Sequence, residues 1–206
     1  MTREEMLADL AYARTLAEEG RHAPLLGGAY LVFWGVVNAL AFSAQFALIE
    51  GFVPVMDGAA FAVLWVGYGV VAAIGMTLLR IRTRDKPGLT AIGTRAERAL
   101  WSGAAIAVMA VVIGSIARMF ITGDTTAPNA ILGAAFALYG AALFGTASLS
   151  EQTWLRGFGW LAVGVALNCC MFANQSWVYV IASVGSLLAL AWPGIVLLKR
   201  EPSAIV

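Results

Sequence analysis

The chain has 206 residues, of which 61% are hydrophobic and 12% are charged, and its formal net charge is +1. A soluble domain carries about 25% charged residues, so there are too few charges here to cover a water-soluble surface. Mean hydropathy is +0.83, and the composition therefore indicates an integral membrane protein.

The first segment in chain order is charged, and residues 3–19 are predicted to form a short amphipathic cytoplasmic helix. Thr2 and Glu5 make a capping box before it, and it has no cleavable signal-peptide pattern. Its charges are Glu4, Glu5, Asp9, Glu18 and Glu19 against Arg3 and Arg14. A net negative helix has the wrong sign for anionic lipid. We therefore expect it either to dock on the basic 80–98 loop of the same chain or to stay solvated.

Uncharged runs make up most of the remaining sequence. They extend from Ala23 to Ile49, Gly58 to Leu79, Ala99 to Ala117, Thr125 to Ser150 and Gly157 to Leu198. A membrane crossing needs roughly 20 residues, and the last run has room for two crossings around a polar turn at 173–176. The sequence predicts a membrane domain over 23–198, between an N-terminal segment 1–22 and a tail 199–206, with helices near 25–47, 58–79, 98–119, 128–149, 154–173 and 177–198.

The crossings are predicted to be helices because lipid cannot hydrogen-bond an exposed strand edge. The apolar runs are also continuous, whereas the strands of a membrane barrel alternate between apolar and polar residues. The predicted fold is therefore an all-α polytopic membrane protein with six transmembrane helices.

Lys and Arg residues predict the orientation. Twelve of the thirteen fall on one side of the six crossings, and only Arg118 falls on the other. Because cytoplasmic loops carry the excess of basic residues, we expect both termini to be cytoplasmic. A bacterial inner membrane suits this compact form.

Two weak sequence similarities suggest a 3+3 inverted repeat, a construction found in many transporters. The matched pairs are Gly28-x6-Gly35 with Gly133-x6-Gly140, and Trp65-x3-Gly69-x6-Met76 with Trp160-x3-Gly164-x6-Met171. The alternative is that such glycines only let neighbouring helices approach closely, as small residues do throughout membrane proteins.

Groups that perform chemistry are missing from the predicted crossings. No Asp or Glu lies within one, and His22, the sole histidine, lies at the edge. Cys169 and Cys170 are adjacent and lack the C-x-x-C spacing of a redox pair, so they are interpreted as small apolar residues. The sequence therefore predicts a protein that is not an enzyme, with no metal site and no cofactor. Pro193 is predicted to kink the last helix near its cytoplasmic end, because its ring removes one helical hydrogen bond and frees the carbonyl of Ala189.

A few intramembrane side chains are candidates for a polar site or a cavity. They are Asn38, Asn168, Arg118, Trp34, Tyr68 and Tyr139. Asparagines at this depth usually hydrogen-bond between helices, although they could also contact a solute. Arg118 is expected to reach the outer headgroups, or else to bind an anion or pair with Asp124.

Two functions fit these observations. The favoured hypothesis is an accessory, sensor or assembly subunit that contacts a membrane or cytoplasmic protein, or a second copy of itself, at its cytoplasmic face. The expected contact surface comprises Arg80, Arg82, Arg84, Lys86, Glu4, Glu18 and Glu19. The alternative is a passive channel or facilitator for a neutral solute, which would have Asn38 and Asn168 facing one shared cavity. Nucleic-acid binding is not expected, because topology explains the basic loop.

Overall fold

A computed structural model describes residues 12, 27–53, 59–84, 86 and 92–200 of the chain. The predicted N-terminal helix, with Glu4, Glu18 and Glu19, lies outside the described residues except for Tyr12, which is helical and exposed. The residues after Arg200 also lie outside them. All regular structure in the described part of the chain is helical.

Six apolar helices follow one another in the described residues. They are α1 (Gly28–Ile49), α2 (Ala59–Thr83), α3 (Ile92–Thr122), α4 (Ala130–Leu149, after a 3-10 turn over Ala127–Asn129), α5 (Leu155–Met171) and α6 (Val178–Arg200). All except α5 are long and apolar enough to cross a membrane. With 17 residues, α5 is about 25 Å long and lies at the lower limit for a crossing. The prediction of an all-α polytopic membrane protein is confirmed.

Four of the helices form a central bundle. In this bundle α5 packs between α4 and α6, and α6 packs against α1. Its fully buried side chains include Phe136, Leu143, Leu155 and Leu190. The other two helices flank the bundle, with α2 packed on α1 and α3 packed on α4. The most apolar stretch of α2 buries none of its residues and that of α3 buries only 6% of them, so both helices are peripheral.

Glycines bring α1 and α6 into backbone contact. A β-carbon on Gly35 would collide with the backbone nitrogen of Ala191, and one on Gly194 would lie 2.8 Å from the carbonyl oxygen of Gly28. Such distances are possible only where side chains are absent. For Gly28 and Gly35, the interpretation as small residues that permit close helix packing is confirmed.

Helix α6 contains a π-helical turn just before Pro193, where the sequence predicts a kink. This turn spans Leu187–Ala191, inside α6, and directly precedes the exposed Trp192 and the buried Pro193. A π turn contains one extra residue, which lets the helix continue although proline has no backbone donor. Because Gly35 packs on Ala191, this irregular turn is part of the α1–α6 contact.

The described residues of the cytoplasmic loop predicted over 80–98 are mostly helical. Helix α2 continues through Arg80 and Arg82 to Thr83, and α3 already begins at Ile92. Long basic side chains can keep their charged ends in water while their apolar stems lie along the helix. Basic residues therefore do not end α2 or α3, and both helices extend beyond their uncharged runs. Thr94 and Glu97 have the spacing of a capping box, but Thr94 lies within the first turn of α3 and is buried, so it does not cap the helix.

The α1 and α4 glycines that suggested an inverted repeat do not occupy equivalent positions. In such a repeat α1 would correspond to α4, α2 to α5 and α3 to α6. However, Gly35 faces α6, whereas its counterpart Gly140 faces Val163 on α5. The α1 glycines therefore pack on α6 and the α4 glycines pack on α5. In an inverted repeat the counterpart of α6 would be α3, so the two sets of glycines make different contacts.

Candidate functional site

Two buried amides on α1 hold α2 in place. Asn38 and Gln45 lie seven residues apart, about two turns, and therefore on one face of the helix. The Tyr68 hydroxyl donates to Asn38 Oδ1 at 2.7 Å, and the Trp65 indole N–H donates to Gln45 Oε1 at 3.0 Å. Since lipid offers no competing partner for these groups, the two bonds set the register of α2 against α1.

A third polar contact joins the same helices near their basic ends. The Tyr30 hydroxyl lies 3.1 Å from Thr83 Oγ1. Between this contact and Asn38, the Phe33 ring packs against Gly75, which has no side chain to obstruct it. Hydrogen bonds and aromatic contacts with one neighbour, rather than burial in the core, therefore attach α2.

The Asn38 side chain also reaches across the bundle to α4. Its Nδ2 donates to the Tyr139 hydroxyl at 3.4 Å, while the Trp34 ring lies 6.3 Å from the Tyr68 ring. We call Asn38, Trp34, Tyr68 and Tyr139 the Asn38 cluster. Four of the six intramembrane residues singled out from sequence are thus brought together, from three helices.

The other two intramembrane candidates lie apart from the cluster. Asn168 Nδ2 donates to the carbonyl of Gly164 on its own helix at 2.9 Å. Arg118 pairs with Asp124 at 2.8 Å and its side chain is 67% exposed. Hydrogen bonds from the side chain and the backbone of Thr126, with Arg118 beside them, hold the pKa of the Asp124 carboxyl below its usual range. The salt-bridge alternative for Arg118 is therefore the one observed.

The sequence interpretation missed Gln45, Trp65, Tyr30 and Thr83. The spacing of Gln45 from Asn38 is the one signal that could have identified it, because two amides seven residues apart on a membrane helix face the same neighbour. Nothing in the sequence pairs Tyr30 with Thr83, which lie more than fifty residues apart.

The chemistry available to the Asn38 cluster is hydrogen bonding between neutral groups. An amide and two phenol hydroxyls can donate and accept, but they carry no charge with which to couple ion movement. Asn38 is almost completely buried and engages both tyrosines. The arrangement is therefore suited to fixing helix positions.

The basic residues gather at one end of the described structure. All the described Lys and Arg side chains except Arg118 lie at this end, which we call the basic end. Arg80 and Arg82 are exposed on the last turn of α2, and no carboxylate of the described residues lies within ion-pair distance of either. Arg84 and Lys86 follow them along the chain.

No known protein family, curated protein or solved structure matches this chain.

Proposed function

We propose that this chain is a non-catalytic membrane subunit that acts by binding another protein through α2 and the basic segment following it. The observation that carries the proposal is the one-sided attachment of α2. Among the described helices it packs chiefly on α1, and its most apolar stretch buries no residue in the bundle. A crossing helix attached in this way has most of its surface available to a neighbour.

One face of α2 has the composition of a helix-packing surface. Exposed residues recur every three or four positions along it, at Ala62, Val66, Gly69, Ala73 and Thr77. We call this row the α2 stripe, and all its members except Val66 are small residues of the kind that let membrane helices approach closely. No atom lies within 4 Å of where a Gly69 side chain would begin. Glycine destabilises a helix by about 1 kcal/mol relative to alanine, and no contact within the bundle offsets this cost at Gly69. Close packing against a partner helix would offset it.

The charges at the end of α2 indicate the character of the partner. Arg80 continues this face of α2 beyond the apolar stretch and Arg82 lies on the same last turn, and these charges suit a partner with acidic groups near the membrane surface. If the partner is a second copy of the chain, its Glu4, Glu18 and Glu19 would supply such groups. We place the basic end in the cytoplasm of a bacterial cell, with the protein in the inner membrane.

The facilitator alternative has less support. It calls for Asn38 and Asn168 to line one cavity, whereas Asn38 bonds two tyrosines and Asn168 bonds its own helix.

Crosslinking from α2 tests the partner hypothesis. With a photoreactive amino acid at Ala73 in native membranes, we expect a protein adduct at a defined mass. Gly69→Leu should abolish that adduct, because the added side chain would block close approach on the same face. Gly67→Leu is the matched control. Both glycines are exposed with open space around them, but Gly67 lies on a different face of α2 from the α2 stripe.

Either of two results would contradict the hypothesis. Lipid adducts alone at Ala73 would mean that no protein covers this face. A protein adduct that both glycine substitutions reduce equally would mean that the partner does not bind at the α2 stripe. An adduct between two copies of the chain would instead identify the partner as the protein itself.

Cysteine labelling tests the orientation. In a variant without native cysteines, Thr153→Cys at the basic end should resist a membrane-impermeant maleimide in intact spheroplasts and react after lysis. Thr125→Cys at the opposite end should react in both, since both threonines are exposed in short connections. The reverse labelling pattern would place the basic end outside.

A further inference from the structure

An apolar groove of about 550 Å³ runs between α3 and α4 on the side away from the core. Its wall residues are small or aliphatic throughout: Ala96, Ala99, Leu100, Gly103, Ala104, Leu138, Ala141, Ala142 and Leu149. Its volume lies within the range of about 300–1,000 Å³ of ligand pockets, although the groove is open along its length. In a membrane protein such an opening faces acyl chains.

Contacts behind the groove keep it open. The Trp101 indole N–H donates to Thr146 Oγ1 at 3.1 Å, which ties α3 to α4 at a fixed spacing. Leu100 packs onto Gly145 of α4 beside this bond. With these two contacts holding the helices, the small residues at Ala99, Gly103 and Ala142 leave a space that neither helix can fill. The groove therefore exists without its occupant.

The groove begins at the basic end and penetrates only part of the bilayer. Ala96 and Leu149 mark its mouth, and Ala104 lies about 12 Å deeper at 1.5 Å per residue. Arg95 precedes Ala99 by one turn and is exposed, and no carboxylate of the described residues lies within ion-pair distance of it. A cation at headgroup level therefore borders an apolar channel leading inward.

We propose that this groove binds one acyl chain of an anionic phospholipid whose phosphate group pairs with Arg95. A lipid has the required combination, a negative charge at the membrane surface attached to a narrow apolar chain. A partner helix fits less well, because it would contact a stripe along the whole of α3, whereas the groove covers only two to three turns of it. The site lies on α3 and α4 and is independent of the α2 surface in the proposed function.

Native mass spectrometry of the purified protein in mild detergent tests this site. With equal amounts of phosphatidylglycerol and phosphatidylcholine, we expect one phosphatidylglycerol to be retained in preference. Arg95→Gln should reduce that preference about five-fold, the effect of one basic residue near an anionic surface. Gly103→Leu should abolish retention of this lipid by filling the groove.

Two matched variants distinguish loss of the lipid site from general effects of adding a side chain to α3 or removing a positive charge. Gly114→Leu changes another exposed glycine of α3 with open space around it, and Arg156→Gln removes another exposed base at the same end. Both should bind as the unaltered chain does. Equal retention of the two lipids, or equal binding by Gly103→Leu and Gly114→Leu, would overturn the proposal. A bound protein lost only from Gly103→Leu would overturn it too, and would make the groove a protein interface.

Discussion

Gly35→Ala is expected to destabilise the bundle by about 1–3 kcal/mol, the usual cost of overpacking. The added methyl group would collide with the backbone of Ala191. That backbone belongs to the π turn preceding Pro193, so a shift would disturb an already irregular segment. The free energy of unfolding can be measured by circular dichroism in mixed micelles of mild detergent and dodecyl sulfate.

Gly67→Ala supplies the control for this measurement. The position is exposed on α2, with no atom within 4 Å of the new methyl group. There the gain in helix propensity should leave stability unchanged or raise it by up to about 1 kcal/mol. Equal effects of the two substitutions would show that the α1–α6 backbone contact does not limit stability.

Asn38→Leu is expected to cost about 1–2 kcal/mol and to loosen α2 selectively. Leucine is similar in size, so the change mainly removes the bonds to Tyr68 and Tyr139, and intramembrane hydrogen bonds contribute about 0.6 kcal/mol on average and up to about 1.7 kcal/mol. Since α2 has little buried surface to hold it otherwise, its amides should exchange faster with solvent deuterium while those of α5 remain protected.

The matched control is Asn168→Leu, which removes only a bond to the carbonyl of its own helix and should be nearly neutral. A double-mutant cycle between Asn38→Leu and Tyr68→Phe isolates the pairwise term. If Asn38→Leu were as mild as Asn168→Leu, or its changes in exchange were spread evenly over all helices, the Asn38 cluster would not be what holds α2.

These two predictions concern attachments of different kinds. The α1–α6 contact joins two backbones and tolerates no added atom, whereas α1 holds α2 through side-chain hydrogen bonds that a neighbouring helix could rearrange. A partner that binds α2 can therefore do so without disturbing the central bundle, which is consistent with the proposed function.

Helix number and approximate position were predictable because membrane segments are selected by a simple physical criterion. A run such as Ala23 to Ile49 must be apolar over the thickness of the bilayer, and this requirement is visible residue by residue. The ends were less predictable. Arg80 and Arg82 are basic yet helical, since a helix can leave the apolar layer and continue in water.

The choice of neighbours was decided only by the tertiary structure. Asn38 and Asn168 have the same residue type and a similar predicted depth, yet one joins three helices and the other bonds to its own helix. Sequence periodicity places a residue at a depth and on a face of its own helix. Which neighbour that face meets depends on how all the helices pack at once, and here the side-chain-free contact of Gly35 with Ala191 brings α1 against α6 and leaves Asn38 between Tyr68 and Tyr139.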